Sequence, residues 1–285
     1  RKQNVYFIGR CILVCRARSK TFWSRTNIGR IPRMESQPVT ESPLKITVLG
    51  CSGSYASAGG ACTGFLVQSP KANVWLDAGP GTLANLQTHI DLSDLTAIVL
   101  THEHADHWLE LPVVYNAIRH YILCGPIPVY GTKGTLKLAN DMCESIEESF
   151  LCEIIEDGDS LFIGDQCWHW SRTQHYVETL ACRVDVEDSS FVFTADTGPE
   201  WDAKSLGDRV DLMIAESTFL SERENEEILH LSARQAGLLA SNARAEKLVL
   251  SHLAPGESES AHLEEAQSVF SGPISLASVG KHYEV

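Results

Sequence analysis

Four side chains of metal-ligand type fall within six residues: His102, His104, Asp106 and His107, in the run Thr101-His102-Glu103-His104-Ala105-Asp106-His107. Imidazole nitrogen and carboxylate oxygen are the donors that Zn²⁺ takes, the nitrogens at about 2.0–2.1 Å. Side chains two apart on an extended chain point the same way, so His102 and His104 can close on one ion. A turn at Ala105 into a helix then swings Asp106 and His107 towards a second position. The competing reading is a solvated polar loop, and four donors at this spacing outweigh it.

Three further donors stand singly, each at the end of an apolar run. His175 follows residues 168–174, Asp196 follows Phe191-Val192-Phe193-Thr194-Ala195, and His252 follows Leu248-Val249-Leu250-Ser251. Any one alone would read as a cap or core residue. Together, each just past a buried-type strand, they supply the ligands a two-ion site still lacks, and the chemistry to expect is metal-assisted hydrolysis. Other motifs add nothing to this. No Gly-x-Ser-x-Gly supports a serine nucleophile. Gly50-x-x-Gly53 lacks the Gly-Lys-Ser/Thr ending of a phosphate loop and reads as a strand-exit turn at the site rim. His89, His120, His169, His262 and His282 show no partner pattern and read as surface or structural, and Glu144, Glu147, Glu148 and Glu153 as a solvated acidic face.

The elements that must position these residues follow from periodicity. Strands are expected at 45–51, 64–68, 73–77 and 96–100, rich in Val, Ile, Leu or Trp and bounded by Gly, Ser, Pro or Asp. Helical spacing appears at 81–89, 112–123, 132–143, 232–243 and 258–270. The stretch 153–194 reads as successive strands with turns such as Asp157-Gly158-Asp159, and strands return at 212–215, 247–251 and 274–276. This is an α/β chain with an antiparallel run in its middle, without internal repeats or low-complexity segments. The first motif leaves the C-terminal end of a strand, where α/β sheets place their sites.

Composition narrows the partners. The chain has 285 residues, long enough for one large domain with a substantial core, and 44% of them are hydrophobic. No run approaches the ~18 apolar residues of a membrane span. The nine cysteines form no C-x-x-C pair and read as free thiols of a reducing cytoplasm. Residues 1–33 hold nine basic side chains and no acidic one, whereas residues 34–285 hold 14 basic against 37 acidic, a formal −23. Bulk nucleic acid is a poor default partner for such a body. Residues 1–33 are expected to be a disordered or non-native extension, and residues 34–285 a single hydrolase domain beginning at Met34.

The order Asp77, His102-x-His104-x-Asp106-His107, His175, Asp196, His252 resembles the metallo-β-lactamase superfamily over residues 44–285. The resemblance implies an αβ/βα four-layer sandwich, two mixed sheets flanked by helices, with two Zn²⁺ ions (or Mn²⁺ or Fe) at one edge. It implies that His102, His104 and His175 hold the first ion, that Asp106, His107 and His252 hold the second, and that Asp196 bridges them. Asp77 resembles the carboxylate that orients a ligand imidazole. Asp at position 196 is similar to the RNase Z-like phosphodiesterase branch, since true β-lactamases carry Cys there. Leu229-His230-Leu231-Ser232 resembles that branch's motif whose His contacts the scissile phosphate, and Met213-Ile214-Ala215-Glu216-Ser217-Thr218-Phe219 its His-Glu-Ala-Thr segment. Ala215 replaces the His of that segment, which leaves Glu216 to orient His230.

Two departures bear on substrate. Asp196 comes only 21 positions after His175, too few for the long arm with which tRNA-processing members grip their substrate, and Glu110 stands where Gly is usual, adding negative charge near the mouth. The segments Ile46-Thr47-Val48-Leu49-Gly50-Cys51-Ser52-Gly53-Ser54 and Leu250-Ser251-His252-Leu253-Ala254-Pro255 are similar to small stand-alone bacterial cyclic-nucleotide phosphodiesterases of this fold. The expected activity is therefore hydrolysis of 3′,5′-cyclic nucleotides, with Asp106 taking the proton of the attacking water and His230 protonating the leaving group. Rivals are an RNase Z-like tRNA 3′-end endoribonuclease and a lactonase or thioesterase on the same scaffold. A binding module with a relic site is a further rival, disfavoured by the full ligand set. The partner expected is a small phosphodiester, with no membrane and with a homodimer left open.

Overall fold

The structure, a computed structural model, describes residues 43–122 and 125–285. The basic segment 1–33 and the domain start expected at Met34 lie outside the described residues. Among the described residues, fourteen strands form two seven-stranded sheets. The first sheet takes β1 (Lys45–Gly50), β2 (Gly64–Ser69), β3 (Ala72–Leu76), β4 (Ala97–Leu100), β5 (Ile127–Gly131) and β6 (Phe150–Ile154). The second takes β7 (Ser160–Ile163), β8 (Gln166–Arg172), β9 (Leu180–Val186), β10 (Ser189–Phe193), β11 (Val210–Glu216), β12 (Ala245–Ser251) and β13 (Ile274–Leu276). The chain ends in β14 (His282–Glu284), which returns to pair with β1 in the first sheet. β3 to β6 run parallel, as do β10 to β13.

Helices cover the outer faces. They are α1 (Thr82–Leu86), α2 (Ala105–Trp108), α3 (Leu111–His120), α4 (Lys133–Met142), α5 (Ala233–Asn242) and α6 (Glu259–Gln267). Thr132 and Ser258 accept from the third-residue amides of α4 and α6, and Ser232 with Gln235 forms a capping box on α5, so each helix starts where its side-chain oxygen stands. Three apolar clusters match the layers. One, with Val48, Phe65, Val74, Val99, Trp168, Val184, Phe191 and Ile214, fills the space between the sheets. The others seat α1, α3 and α4 on the first sheet and α5 and α6 on the second. This is the four-layer sandwich of two mixed sheets flanked by helices.

The middle of the chain differs from the sequence reading. The stretch 153–194 was read as one run of strands, yet Glu153 and Ile154 belong to β6, parallel to β5 in the first sheet. The Asp157-Gly158-Asp159 turn therefore carries the chain from one sheet to the other, and only β7 to β10 form the antiparallel meander. Periodicity reports which face a strand buries, and it is silent about which sheet the strand joins. β5, which holds a proline at Pro128, and the three-residue β14 were not among the expected strands. Cys51, Cys62, Cys143, Cys152, Cys167 and Cys182 are free thiols. Among the described residues, no helix is long and apolar enough to cross a membrane.

Candidate metal centre

The donors converge where strands of both sheets end. His102 follows β4, Asp106 and His107 lie on α2, Asp196 follows β10, and His252 follows β12. Three of these strand exits place a non-glycine residue in left-handed backbone, at Asp77 (φ 56°), Ala195 (φ 49°) and His252 (φ 58°). Such conformations cost about 1–3 kcal/mol each and persist where surrounding structure over-determines them. Two glycines make room. A Cβ on Gly79 would stand 2.0 Å from the Asp106 carbonyl oxygen, and one on Gly53 would stand 2.8 Å from His252 Nδ1. Gly53 in the rim turn is therefore a packing surface for a site imidazole.

Two groups of donor atoms result. His102, His104, His175 and Asp196 lie within 4.8 Å of one another, and so do Asp106, His107 and His252. His104 Nδ1 is 3.2 Å from His102 Nε2 and 3.1 Å from His175 Nε2, and His107 Nε2 is 3.3 Å from His252 Nε2. Asp196 stands between the groups. Its Oδ1 is 3.4 Å from both His107 Nε2 and His252 Nε2, and its Oδ2 is 3.6 Å from His102 Nε2 and 3.8 Å from His175 Nε2. One carboxylate oxygen thus faces each group, as the bridging role requires. Asp106 Oδ2 sits 3.3 Å from His252 Nε2 and accepts the Ser54 amide at 2.8 Å.

The far ring nitrogens decide which lone pairs point inward. His107 Nδ1 donates to Asp77 Oδ2 (2.7 Å), His102 Nδ1 to the Thr101 hydroxyl (3.0 Å), and His175 Nδ1 to the Leu229 carbonyl (2.9 Å). Each therefore turns its Nε2 towards the cluster. Asp77 is fully buried and also accepts the Thr101 amide and hydroxyl, so the carboxylate that holds His107 is itself fixed.

This donor set fits divalent metal ions. Tetrahedral coordination at about 2.0–2.1 Å sets neighbouring donors roughly 3.3–3.4 Å apart, the spacing seen between these nitrogens. Burial holds His102 well below its ordinary pKa, and His104 and His175 below theirs, so their lone pairs are free. Burial opposes ionisation of Asp106 and Asp196, but the surrounding imidazoles prevail and hold both carboxyls below the usual range. His107 goes the other way. Burial lowers it, yet Asp196 and Asp77 raise it well above its ordinary value, the mark of a pair of carboxylates that want a cation. Asp196 Oδ1 is buried without a hydrogen-bond partner, the atom a bridged ion would satisfy.

His230 lies beside the cluster with its side chain 18% exposed. Its Nδ1 is 3.1 and 3.2 Å from the two oxygens of Glu216, which is fully buried, and its ring stacks on His252 at 14° and 5.7 Å. Asp196, His230 and His252 also satisfy the distance limit for a metal group. His230 Nδ1, however, is committed to Glu216. Burial pulls its pKa down, but the Glu216 carboxylate outweighs this and raises it to about 9.

The carboxylate of Glu110, the residue expected to add charge near the mouth, accepts the Gly81 amide at the start of α1, an otherwise unpaired helix-terminal N–H. Of the set-aside histidines, His262 is fully buried with Nδ1 on the Ser258 carbonyl, a structural residue of α6. Sequence reasoning assigned no role to Thr101, Thr218 or the Leu229 carbonyl. A hydroxyl next to a ligand histidine was a visible signal for Thr101 alone.

A model of the β-lactamase superfamily domain matches residues 72–253. The chain belongs to this superfamily. It is 28% identical to an uncharacterised protein of Mycobacterium tuberculosis, the alignment covering 85% of this chain and 92% of that one. It is 27% identical to a ribonuclease Z of Thermobifida fusca, over 83% of this chain and 93% of that one. The crystal structure of the metallo-β-lactamase fold protein YhfI from Bacillus subtilis is 26% identical and superposes with a TM-score of 0.79, over 85% of this chain and 100% of that one. The ribonuclease Z among these relatives is of the branch that the sequence resembles.

Proposed function

We propose that this protein is a metal-dependent hydrolase of small phosphodiesters, with 3′,5′-cyclic nucleotides as its substrates. In this reading His102, His104 and His175 hold one zinc ion, Asp106, His107 and His252 hold the other, and Asp196 bridges them, with Mn²⁺ or Fe as acceptable substitutes. Such a pair, when bound, lowers the pKa of water towards neutrality and neutralises a phosphoryl oxygen. The observation that carries the reading is His230, an imidazole held by buried Glu216 beside the donor cluster with a pKa raised to about 9. A cationic donor there suits an anionic ester whose alkoxide must leave with a proton. Asp106, held ionised, accepts the proton of the attacking water.

The rim supports a small, aromatic-bearing substrate. Tyr176 is 58% exposed, and its ring lies 5.2 Å from that of His175 and 6.4 Å from that of His230. Its hydroxyl donates to the Glu227 carbonyl (2.9 Å) and accepts the Leu229 amide (3.1 Å), so the ring is a fixed plate on which a base can stack. The whole interval between His175 and Asp196 is taken by β9, β10 and their short connections, which leaves no arm for tRNA. A second reading, 3′ trimming of RNA, is favoured by the likeness to a ribonuclease Z over nearly all of that protein.

Zinc-loaded protein offered bis-p-nitrophenyl phosphate, cyclic nucleotides, a tRNA precursor, a lactone and a thioester decides among these. Cyclic nucleotides should be hydrolysed with weak salt dependence, whereas binding of tRNA through several phosphates would fall steeply with salt. Asp196→Ala should abolish turnover and lower bound metal. Specific trimming of the tRNA precursor with cyclic nucleotides untouched would overturn the substrate assignment, and a protein without transition metal after metal-replete expression would overturn the site.

A further inference from the structure

Each sheet carries the same device at its end of the cluster. Asp77 follows β3 and Glu216 ends β11, and both are fully buried carboxylates. Each accepts directly from one histidine Nδ1, that of His107 or that of His230. Both also accept from backbone amides, Thr101 for Asp77, and Thr197 and Leu231 for Glu216. Finally, each accepts a threonine hydroxyl, from Thr101 to Asp77 Oδ2 at 2.9 Å and from Thr218 to Glu216 Oε2 at 2.7 Å.

A threonine hydroxyl has one hydrogen. Spent on a carboxylate, it leaves the oxygen able only to accept from any other neighbour. The neighbour of Thr101 Oγ1 is His102 Nδ1 at 3.0 Å, and that of Thr218 Oγ1 is His252 Nδ1, also at 3.0 Å. The longer approach of Thr218 Oγ1 to His230 Nδ1, 3.3 Å, competes with nothing, because that proton lies towards Glu216. The carboxylate therefore fixes a proton on the far nitrogen of a histidine it does not touch. His252 must carry a proton on Nδ1, which leaves Nε2 as the atom turned towards Asp106, His107 and Asp196.

We infer that Thr218 is a positioning residue, which relays Glu216 to His252 and fixes the tautomer and ring orientation of that ligand, so that one carboxylate governs both the proton donor His230 and the second metal position. Thr101 does the same between Asp77 and His102. The inference rests on the metal reading of His252. The two relays are not copies of one segment. The carboxylate follows one strand and the ligand histidine the parallel neighbour, β3 and β4 in one sheet, β11 and β12 in the other. The threonine, however, follows the histidine's strand in the first sheet and the carboxylate's strand in the second.

The test is made on the full chain with Thr218→Val, which keeps the shape and removes the hydroxyl, and Thr218→Ser, which restores it. Ring ¹⁵N–¹H correlations of the metal-free protein report each histidine tautomer. Wild type and Thr218→Ser should hold a proton on His252 Nδ1, and Thr218→Val should lose it while His175 keeps its Nδ1–H. Competition with a chelator should then show the more weakly held of two zinc ions weakened about 10–100-fold in Thr218→Val and recovered in Thr218→Ser. An unchanged His252 tautomer in Thr218→Val overturns the relay. Wild type that shows the expected tautomers but takes up no metal overturns the metal reading and leaves the relay standing, so the two failures are distinguishable.

Discussion

The two sheets contribute to the centre in opposite styles. The first gives His102, His104, Asp106 and His107 from one strand exit and the single turn of α2, with Asp77 one strand away. The second gives His175, Asp196, His230 and His252 from four separate connections. Their carboxylates differ in employment as well. Asp77 holds His107, whose side chain is wholly buried, whereas Glu216 holds His230, whose side chain keeps 18% exposure at the mouth. Both carboxylates raise the pKa of the imidazole they hold. In the proposed mechanism the enclosed imidazole faces a metal position, so Asp77 serves to anchor it, whereas the imidazole at the rim can hand its proton to a substrate. The depth of the imidazole separates the two uses.

Asp77→Ala tests the anchoring half, with the largest expected effect of the substitutions on these two carboxylate–histidine pairs. It leaves the His107 Nδ1–H, the Thr101 amide and the Thr101 hydroxyl without their acceptor in a site closed to water. Removing one partner of a buried, charged pair costs about 3–5 kcal/mol. Denaturant melts should show a loss of that size, together with less bound metal. A variant as stable as wild type, with full metal, would mean that Asp77 does not anchor His107.

His230→Ala tests the other half and should leave the fold and the metals in place. Its effect should be kinetic, a fall in kcat of about 10²–10⁴, the range for loss of a general acid. Metal content and melting temperature measured beside the rate make the contrast with Asp77→Ala explicit. Loss of metal in His230→Ala would make this residue a ligand of the group it forms with Asp196 and His252, and an unchanged rate would remove it from the reaction.

The same contrast explains what could be read from the sequence. His102 to His107 were legible because a strand followed by a turn forces alternate side chains together, and no other part of the fold is needed to see it. His175, Asp196 and His252 were legible only as strand exits in the order of a known family, since their meeting depends on sheet order. The relays through Thr101 and Thr218 were not legible. Which atom a hydroxyl gives its hydrogen to depends on distances of 2.7 to 3.0 Å between residues on different strands. Sheet membership of β6 escaped for the same reason, because a strand's pattern names its buried face and leaves its neighbour open. The contact of the Glu110 carboxylate with the Gly81 amide was likewise out of sight, since it joins the starts of two helices.

The smallest expected effect is a titration, and it separates the two halves without any reaction. In the metal-free protein, burial pushes the His230 imidazole down while the Glu216 carboxylate, the stronger influence in sum, raises it from an ordinary 6.5 to about 9. A raised value means the folded state holds the proton more tightly than the unfolded chain does. Its contribution to stability is therefore complete below about 6.5 and drains away as pH rises through about 9. Ring ¹³C and ¹H shifts of His230 in metal-free protein should follow a transition near pH 9. Glu216→Gln keeps the shape and removes the charge, so burial then prevails and the transition should move down, below that of an exposed histidine. His102, held low by burial with no carboxylate of its own within reach of Nδ1 except through Thr101, should show no protonation at either pH. A His230 that titrates at its ordinary value, or one indifferent to Glu216→Gln, would mean that Glu216 merely packs against it and that the second half carries no loaded acid.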